Sequence, residues 1–314
     1  MDRRNFLRTM GTAAAAAAVS ETGLNAGSMF KDGKRKASSR KEEGLRVRFL
    51  GTGAADWKGP DDRGEYRRLS SVLLDNRILI DFTSGNAEML PEGCKPECIF
   101  YTHSHADHYN PEALLKLGVP KAYLGKTWIS KAWGDFAEAS RNAGVQAPEI
   151  VPLSVGETTV CGDIAITALP ANHAINATEQ ALIYLIEKGP VRVIYATDTG
   201  GIMGVAARIA GIDPHVKNGR PITGLIMEAT MGMGDKGDED YRLFTHSSVN
   251  TVLRTAKMLL RRKRLLLQDG ERVYLTHMAR TLHGTQAELD ASLPAPLKAA
   301  YDGLEVYFPI LPQV

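Results

Sequence analysis

The stretch Cys98-Ile99-Phe100-Tyr101-Thr102 has the apolar, β-prone composition of a strand buried inside a sheet, and within six further residues it gives way to His103, His105, Asp107 and His108. Imidazoles this close together are costly to bury unless something binds their lone pairs, so the pattern H-x-H-x-D-H points to a metal loop at a strand end. Neutral imidazole combined with carboxylate suits zinc, manganese or iron. If His103 and His105 address one ion, Asp107 and His108 are left facing a second position. The loop by itself therefore predicts two metals.

The same context recurs along the chain. Ile164 to Leu169 runs into Pro170-Ala171-Asn172-His173, Val191 to Ala196 precedes Asp198, and Val273 to Thr276 precedes His277. A loop histidine or aspartate carries little weight alone, but an apolar strand that repeatedly tips into one predicts that all of them share an edge of the sheets. Other strands are expected at Arg46 to Leu50, Ile150 to Leu153, Thr158 to Cys161 and Ala181 to Ile186. A hairpin is expected around Asp75-Asn76, joining Ser71 to Asp75 with Arg77 to Asp81. Helices are expected from Pro111 to Lys116, capped by Asn110, and from Trp128 to Arg141. So many short strands per helix suggest an α/β arrangement with sheets packed on each other and helices outside. Gly51-Thr52-Gly53 lacks the third glycine and following helix of a dinucleotide fingerprint.

At 314 residues, 44% hydrophobic and 24% charged, the chain can bury one large core or two small ones. A net charge of +2 is too small for a nucleic-acid footprint, and no nucleic-acid partner is expected. Three cysteines do not make a disulfide framework. Cys94 and Cys98 are near enough in sequence for a disulfide or a weak metal site, although two unrelated thiols is the simpler reading. Arg3-Arg4-Asn5-Phe6-Leu7-Arg8 and the alanine run Ala13 to Ala18 read as a twin-arginine signal peptide over residues 1–26, with cleavage expected after Ser20 or Ala26. Its apolar run is too short for a comfortable membrane span. A charged linker follows over 27–44, and the folded domain is expected over 45–314. The twin-arginine machinery is thus an expected partner and the periplasm the expected compartment.

Taken together, Leu50-Gly51-Thr52-Gly53, His103-Ser104-His105-Ala106-Asp107-His108, His173, Asp198 in Ala196-Thr197-Asp198-Thr199 and His277 in Leu275-Thr276-His277 resemble the metallo-β-lactamase-fold hydrolases over most of residues 46–314. The resemblance implies a four-layer αβ/βα sandwich with two divalent metals, zinc first and manganese or iron as alternatives. It places His103, His105 and His173 on one metal and Asp107, His108 and His277 on the other, with Asp198 bridging them. A bridging aspartate resembles the glyoxalase and phosphodiesterase branches, whereas the β-lactamases place Cys or Ser near that point. Leu225-Ile226-Met227-Glu228-Ala229-Thr230 resembles the His-Glu-Ala-Thr segment of transfer-RNA 3′-processing phosphodiesterases, with Met227 in place of the histidine. Thr245-His246-Ser247-Ser248 resembles their His-Ser-Thr element, shared with cyclic phosphate phosphodiesterases.

That branch implies that His246 contacts the scissile phosphate and Glu228 orients it. Without the resemblance, His246 reads as a helix N-terminal residue near solvent. The expected activity is hydrolysis of a small-molecule phosphodiester by a metal-bridging hydroxide that Asp107 orients. The same metals could polarise a carbonyl, so a lactone, thioester or β-lactam hydrolase is the alternative. A di-iron redox site resembles this family less, because such sites usually carry an acidic residue where His105 stands. His283 has no assigned role, and His215, in the turn after Asp213-Pro214, is left out of the site.

Overall fold

Strands covered on both faces need apolar residues at every position, and the inner strands here are of that kind. The computed structural model describes residues 44–234, 240–268 and 270–311. The expected signal peptide and nearly all of the expected linker lie outside the described residues. The first sheet contains β1 (Gly44–Gly51), β2 (Ser71–Leu74), β3 (Ile78–Ile80), β4 (Cys98–Phe100), β5 (Lys121–Gly125) and β6 (Glu149–Leu153). The second contains β7 (Thr158–Cys161), β8 (Ile164–Pro170), β9 (Leu182–Lys188), β10 (Val191–Ala196), β11 (Gly224–Glu228), β12 (Val273–Thr276) and β13 (Leu297–Ala299). The last strand, β14 (Glu305–Pro309), returns to pair with β1, giving the orders β14-β1-β2-β3-β4-β5-β6 and β13-β12-β11-β10-β9-β8-β7.

Side-chain alternation divides the inner strands between two cores. Val193 and Tyr195 of β10 meet Val47, Phe49 and Phe100 between the sheets, whereas Ile194 and Ala196 face outward with Leu225 and Leu275. That outer face is covered by α4 (Val249–Arg261) through Val252, Ala256 and Leu259. On the first sheet, Ile78 and Ile80 point inward and Leu79 outward, under α1 (Pro111–Leu117) and α2 (Ile129–Ala143). Helix, sheet, sheet and helix make the four-layer α/β sandwich expected from the sequence. The short α3 (Gly204–Ile209) and α5 (Gln286–Ser292) lie on the second sheet's side, where Ala206 and Leu289 join its outer core.

Local signals were obeyed closely. Asp75 and Asn76 both take positive φ (45° and 57°), as the centre of a tight turn between β2 and β3 requires, and Arg77 N donates to Leu74 O at 2.9 Å to close it. Asn110 accepts a hydrogen bond from Ala113 N at 3.0 Å, with Pro111 at the first helical position, and Gly118 ends α1 in the left-handed conformation. β5, β11, β13 and β14 are strands beyond those marked from sequence.

Strand direction explains where the chemistry collects. β3 and β4 run parallel, as do β10, β11 and β12, while β8 is antiparallel to β9, which is antiparallel to β10. The C-terminal ends of β4, β8, β10, β11 and β12 therefore open on one edge of the sandwich, the position where open α/β sheets bind ligands. The expected strand through Thr102 stops at Phe100, because Thr102 leaves the ladder. Its N–H donates to Asp81 Oδ1 at 2.8 Å and its carbonyl accepts Leu182 N of the other sheet at 2.9 Å. Gly51-Thr52-Gly53 buttresses the same edge: Met278 N donates to Thr52 O at 2.9 Å, and Ala54 N donates back to Met278 O at 3.1 Å. A Cβ on Gly51 would lie 2.0 Å from Leu69 O, so only glycine lets these chains approach.

Candidate metal centre

Asp81, Asp198 and His277 stand just past the ends of β3, β10 and β12, and all three hold left-handed φ values of 57°, 46° and 51°. Such positions cost roughly 1–3 kcal/mol each and are tolerated where the surrounding packing dictates them. Here they turn the side chains back across the sheet edge. His103, His108, Asp198 and His277 are all buried, and His105, Asp107 and His173 lie at the mouth.

The hydrogen-bond network assigns the imidazole tautomers. The Thr102 hydroxyl donates to Asp81 Oδ2 at 2.8 Å, so it accepts from His103 Nδ1 at 3.0 Å and leaves the Nε2 lone pair facing inward. His108 Nδ1 donates to the same Asp81 oxygen at 2.8 Å, which again frees Nε2. On the opposite side, the Thr230 hydroxyl donates to Glu228 and so accepts from His277 Nδ1 at 2.8 Å. His173 Nδ1 reaches Thr245 O at 3.4 Å. Two buried carboxylates, each working through a threonine, thus set the orientation of most of the ring nitrogens in the cluster.

The inward-facing atoms form two neighbouring groups. His105 Nδ1 lies 3.0 Å from His103 Nε2 and 3.3 Å from His173 Nε2, and its single proton cannot serve both. His108 Nε2 lies 3.2 Å from His277 Nε2, 3.3 Å from Asp107 Oδ2 and 2.8 Å from Asp198 Oδ2. With the rings neutral, as an imidazole that ligates a metal must be, those four are all acceptors, converging without a donor. Two ligands held about 2.0–2.1 Å from one tetrahedral cation would be about 3.3–3.4 Å apart, close to the spacing seen here. Asp198 stands between the groups: Oδ2 is 3.2 Å from His277 Nε2, and Oδ1 is 3.8 Å from His173 Nε2. The seven residues singled out in sequence are therefore brought together, and the chemistry of the donor set fits divalent metal.

Electrostatics follow the same plan. Burial works against the charged forms of Asp107 and Asp198, yet the adjacent imidazoles hold both carboxyls well below the usual range. Burial likewise opposes charge on His108, but Asp198, Asp107 and Asp81 push its pKa well above the ordinary value. His103, more deeply desolvated and close to His108, is held well below it. Strong perturbation in opposite directions within one cleft marks a functional site.

Beside the cluster, His246 Nδ1 donates to Glu228, 3.1 Å from each carboxylate oxygen. Glu228 is fully buried and also accepts from Thr199 N and from the Thr230 hydroxyl. Burial alone would lower the His246 pKa, but Glu228 and Asp198 raise it to about 9. His246 Nδ1 is 3.7 Å from Asp198 Oδ1, and its ring stacks parallel to His277 at 5.8 Å, so it is also within reach of a shared ion.

The sequence profile described as the beta-lactamase superfamily domain matches residues 76–278, well over half of the chain. The chain belongs to the beta-lactamase superfamily. It is a metal-dependent hydrolase of the metallo-β-lactamase fold, with a His/Asp cluster able to hold the metal. A search of curated proteins finds no match. Among solved structures, Zn(2+)-bound PqqB from Methylobacterium extorquens aligns at TM-score 0.61 and 18% identity, covering 83% of this chain and 99% of that one. The long form of RNase Z from yeast aligns at TM-score 0.57 and 15% identity over 87% of this chain and 42% of that one. The metallo-beta-lactamase fold protein YhfI from Bacillus subtilis aligns at TM-score 0.56 and 14% identity, covering 84% and 99%. At such identities these likenesses speak to the fold.

Several supports of this beta-lactamase-superfamily site carry no sequence signal of their own. Asp81, Thr102 and Thr230 are single residues at strand ends, indistinguishable from ordinary turn residues until the fold places them. Glu179 is a fourth: it accepts Ser104 N and Ser104 Oγ, both at 2.7 Å, and so fixes the loop between His103 and His105. His283, unassigned from sequence, donates from Nε2 to Ala229 O at 2.6 Å, and burial keeps it neutral with a pKa of about 4. His215 lies on an exposed turn, its backbone N–H bonded to Asp213.

Proposed function

We propose that this beta-lactamase-superfamily chain hydrolyses small-molecule phosphodiesters with two divalent cations, zinc foremost. His103, His105 and His173 would hold one ion, Asp107, His108 and His277 the other, and Asp198 both. Zinc is favoured by the imidazole and carboxylate donors, and PqqB on the same fold is Zn(2+)-bound. When bound, the pair would supply Lewis acidity and bring a shared water toward ionisation at neutral pH. The chain's own residues do the rest. Asp107, at the mouth, accepts a hydrogen bond from the attacking water and aims it in line with the leaving oxygen.

The observation that carries the phosphodiester reading is the Glu228–His246 pair beside the cluster. An acyl substrate needs its developing charge met at one oxygen. A phosphoryl group spreads charge over several, and an imidazolium held by a buried carboxylate supplies a second positive contact and a proton for the leaving alkoxide. Metal-loaded protein assayed side by side on a chromogenic phosphodiester, cyclic phosphodiesters, a lactone, a thioester and a β-lactam tests this. Phosphodiester turnover should dominate. Preference for any of the carbonyl substrates would replace the reading with the acyl hydrolase alternative.

We further propose export to the periplasm by the twin-arginine route, on the strength of Arg3-Arg4 and the alanine-rich run behind them. No helix among the described residues is long and apolar enough to cross a membrane. Replacing Arg3-Arg4 by Lys-Lys should leave full-length precursor in the cytoplasmic fraction, and undiminished secretion of that variant would rule the route out.

A further inference from the structure

The three cysteines fall into an unexpected grouping. Cys94 and Cys98, neighbours in sequence, do not pair: Cys94 Sγ donates to Asn76 O at 3.4 Å. Cys98 instead meets Cys161, 63 residues away, with the Cys98 thiol donating to Cys161 Sγ at 3.3 Å. Cys98 opens β4 in the first sheet and Cys161 closes β7 in the second, so the two thiols meet between sheets. β4 leads away from Cys98 toward the histidine loop, which puts the thiol pair at the opposite end of that strand from the metal centre.

The surroundings suit thiol chemistry. Cys98 is buried, whereas Cys161 is partly exposed and can be reached from solvent. The Cys98 thiol hydrogen bond, a second one from Tyr123 and the charge of Lys121 favour the Cys161 thiolate over the cost of its burial. The Cys98 thiol is pushed up by the same hydrogen bond and by burial. One sulfur is thus the accessible nucleophile and the other the buried resolving thiol. The same two segments are otherwise tied by Arg77, which reaches Glu97 beside Cys98 at 2.9 Å and Asp163 in the β7–β8 turn at 3.0 Å. Those ion pairs are substantially exposed and contribute little.

We propose that Cys98 and Cys161 form a dithiol site that exchanges with a disulfide co-substrate to give a covalent tie between the two sheets. The Cys161 thiolate attacks one sulfur of the incoming disulfide, forming a mixed disulfide and releasing one thiolate. Cys98 then gives up its proton and attacks Cys161 Sγ, expelling the second thiolate. Two protein thiols are oxidised, the co-substrate disulfide is reduced to two thiols, and the released protons balance the two thiolates. In a glutathione-reduced compartment the pair stays open; in an oxidising one it closes.

Oxidised glutathione, applied to the full chain, is the test. The product should lose two hydrogens in mass, retain one titratable thiol after denaturation and yield a proteolytic fragment linking Cys98 to Cys161. Its Tm should rise on the order of 10 °C above the reduced form, because the tie closes a long loop, and the rise should vanish with reductant. Cys94→Ser should behave as wild type, and Cys161→Ser should gain nothing in Tm. Three free thiols after treatment, glutathione retained on Cys161 or a bond involving Cys94 would overturn the proposal. If Cys161→Ser does not fold, Cys94→Ser, which keeps the pair, is decisive: two thiols lost on oxidation support the tie, and two thiols remaining refute it.

Discussion

Asp198→Ala should purify with less metal than wild type and lose phosphodiester turnover with it. Both of its oxygens are engaged, Oδ2 at 2.8 Å from His108 Nε2 and Oδ1 toward His173, and it is buried where no water can take over its charge. In the proposed two-metal centre, removing it would leave both ion positions without their shared carboxylate. The loss should exceed the roughly 10–100-fold in metal affinity that follows removal of an outer hydrogen-bond partner. Asp81→Asn provides that smaller effect, since it disturbs the orientation of His103 and His108 without touching the inward-facing atoms. Elemental analysis after dialysis, with circular dichroism to verify folding, checks the order of the two variants. A fully loaded and active Asp198→Ala protein would remove Asp198 from the centre.

How far the sequence could be read depends on how each residue's role is encoded. The ligand candidates were legible because each follows an apolar strand, and β-strand direction converts that repeated pattern into a common edge. Asp75-Asn76 and Asn110-Pro111 were legible because turn and cap chemistry is local. Asp81 was not, since nothing adjacent in sequence distinguishes an aspartate after Ile78-Leu79-Ile80 from any strand terminator. Its partners Thr102 and His108 both come from the loop that follows the next parallel strand, β4. The cysteines show the same limit from the other side: in sequence Cys94 and Cys98 read as two unrelated thiols, and nothing there pointed to Cys161, which the packing of the two sheets brings to Cys98.

His246→Ala should retain its metals while phosphodiester turnover falls by roughly 10²–10⁴, the range for a lost general acid, equivalent to about 2.7–5.4 kcal/mol of barrier. The imidazole is held by a buried carboxylate and kept largely protonated at neutral pH by it, so the variant removes a proton donor and a positive contact together. Glu228→Gln should reproduce part of the loss, because an amide can still accept the Nδ1 hydrogen bond but no longer favours the charged ring. Unchanged turnover in His246→Ala would take the residue out of the reaction. Loss of metal in that variant would make it a ligand instead, as its 3.7 Å approach to Asp198 allows.

The centre draws its ligands from one loop of the first sheet and from the ends of β8, β10 and β12 in the second, and the two sheets are stitched at this edge by Thr102–Leu182 and Thr52–Met278 backbone bonds. A nascent or half-docked chain consequently owns only fragments of the donor set. Capture of the proposed pair of ions would have to wait until the second sheet has docked, so a loaded centre would certify that the whole polypeptide has matured.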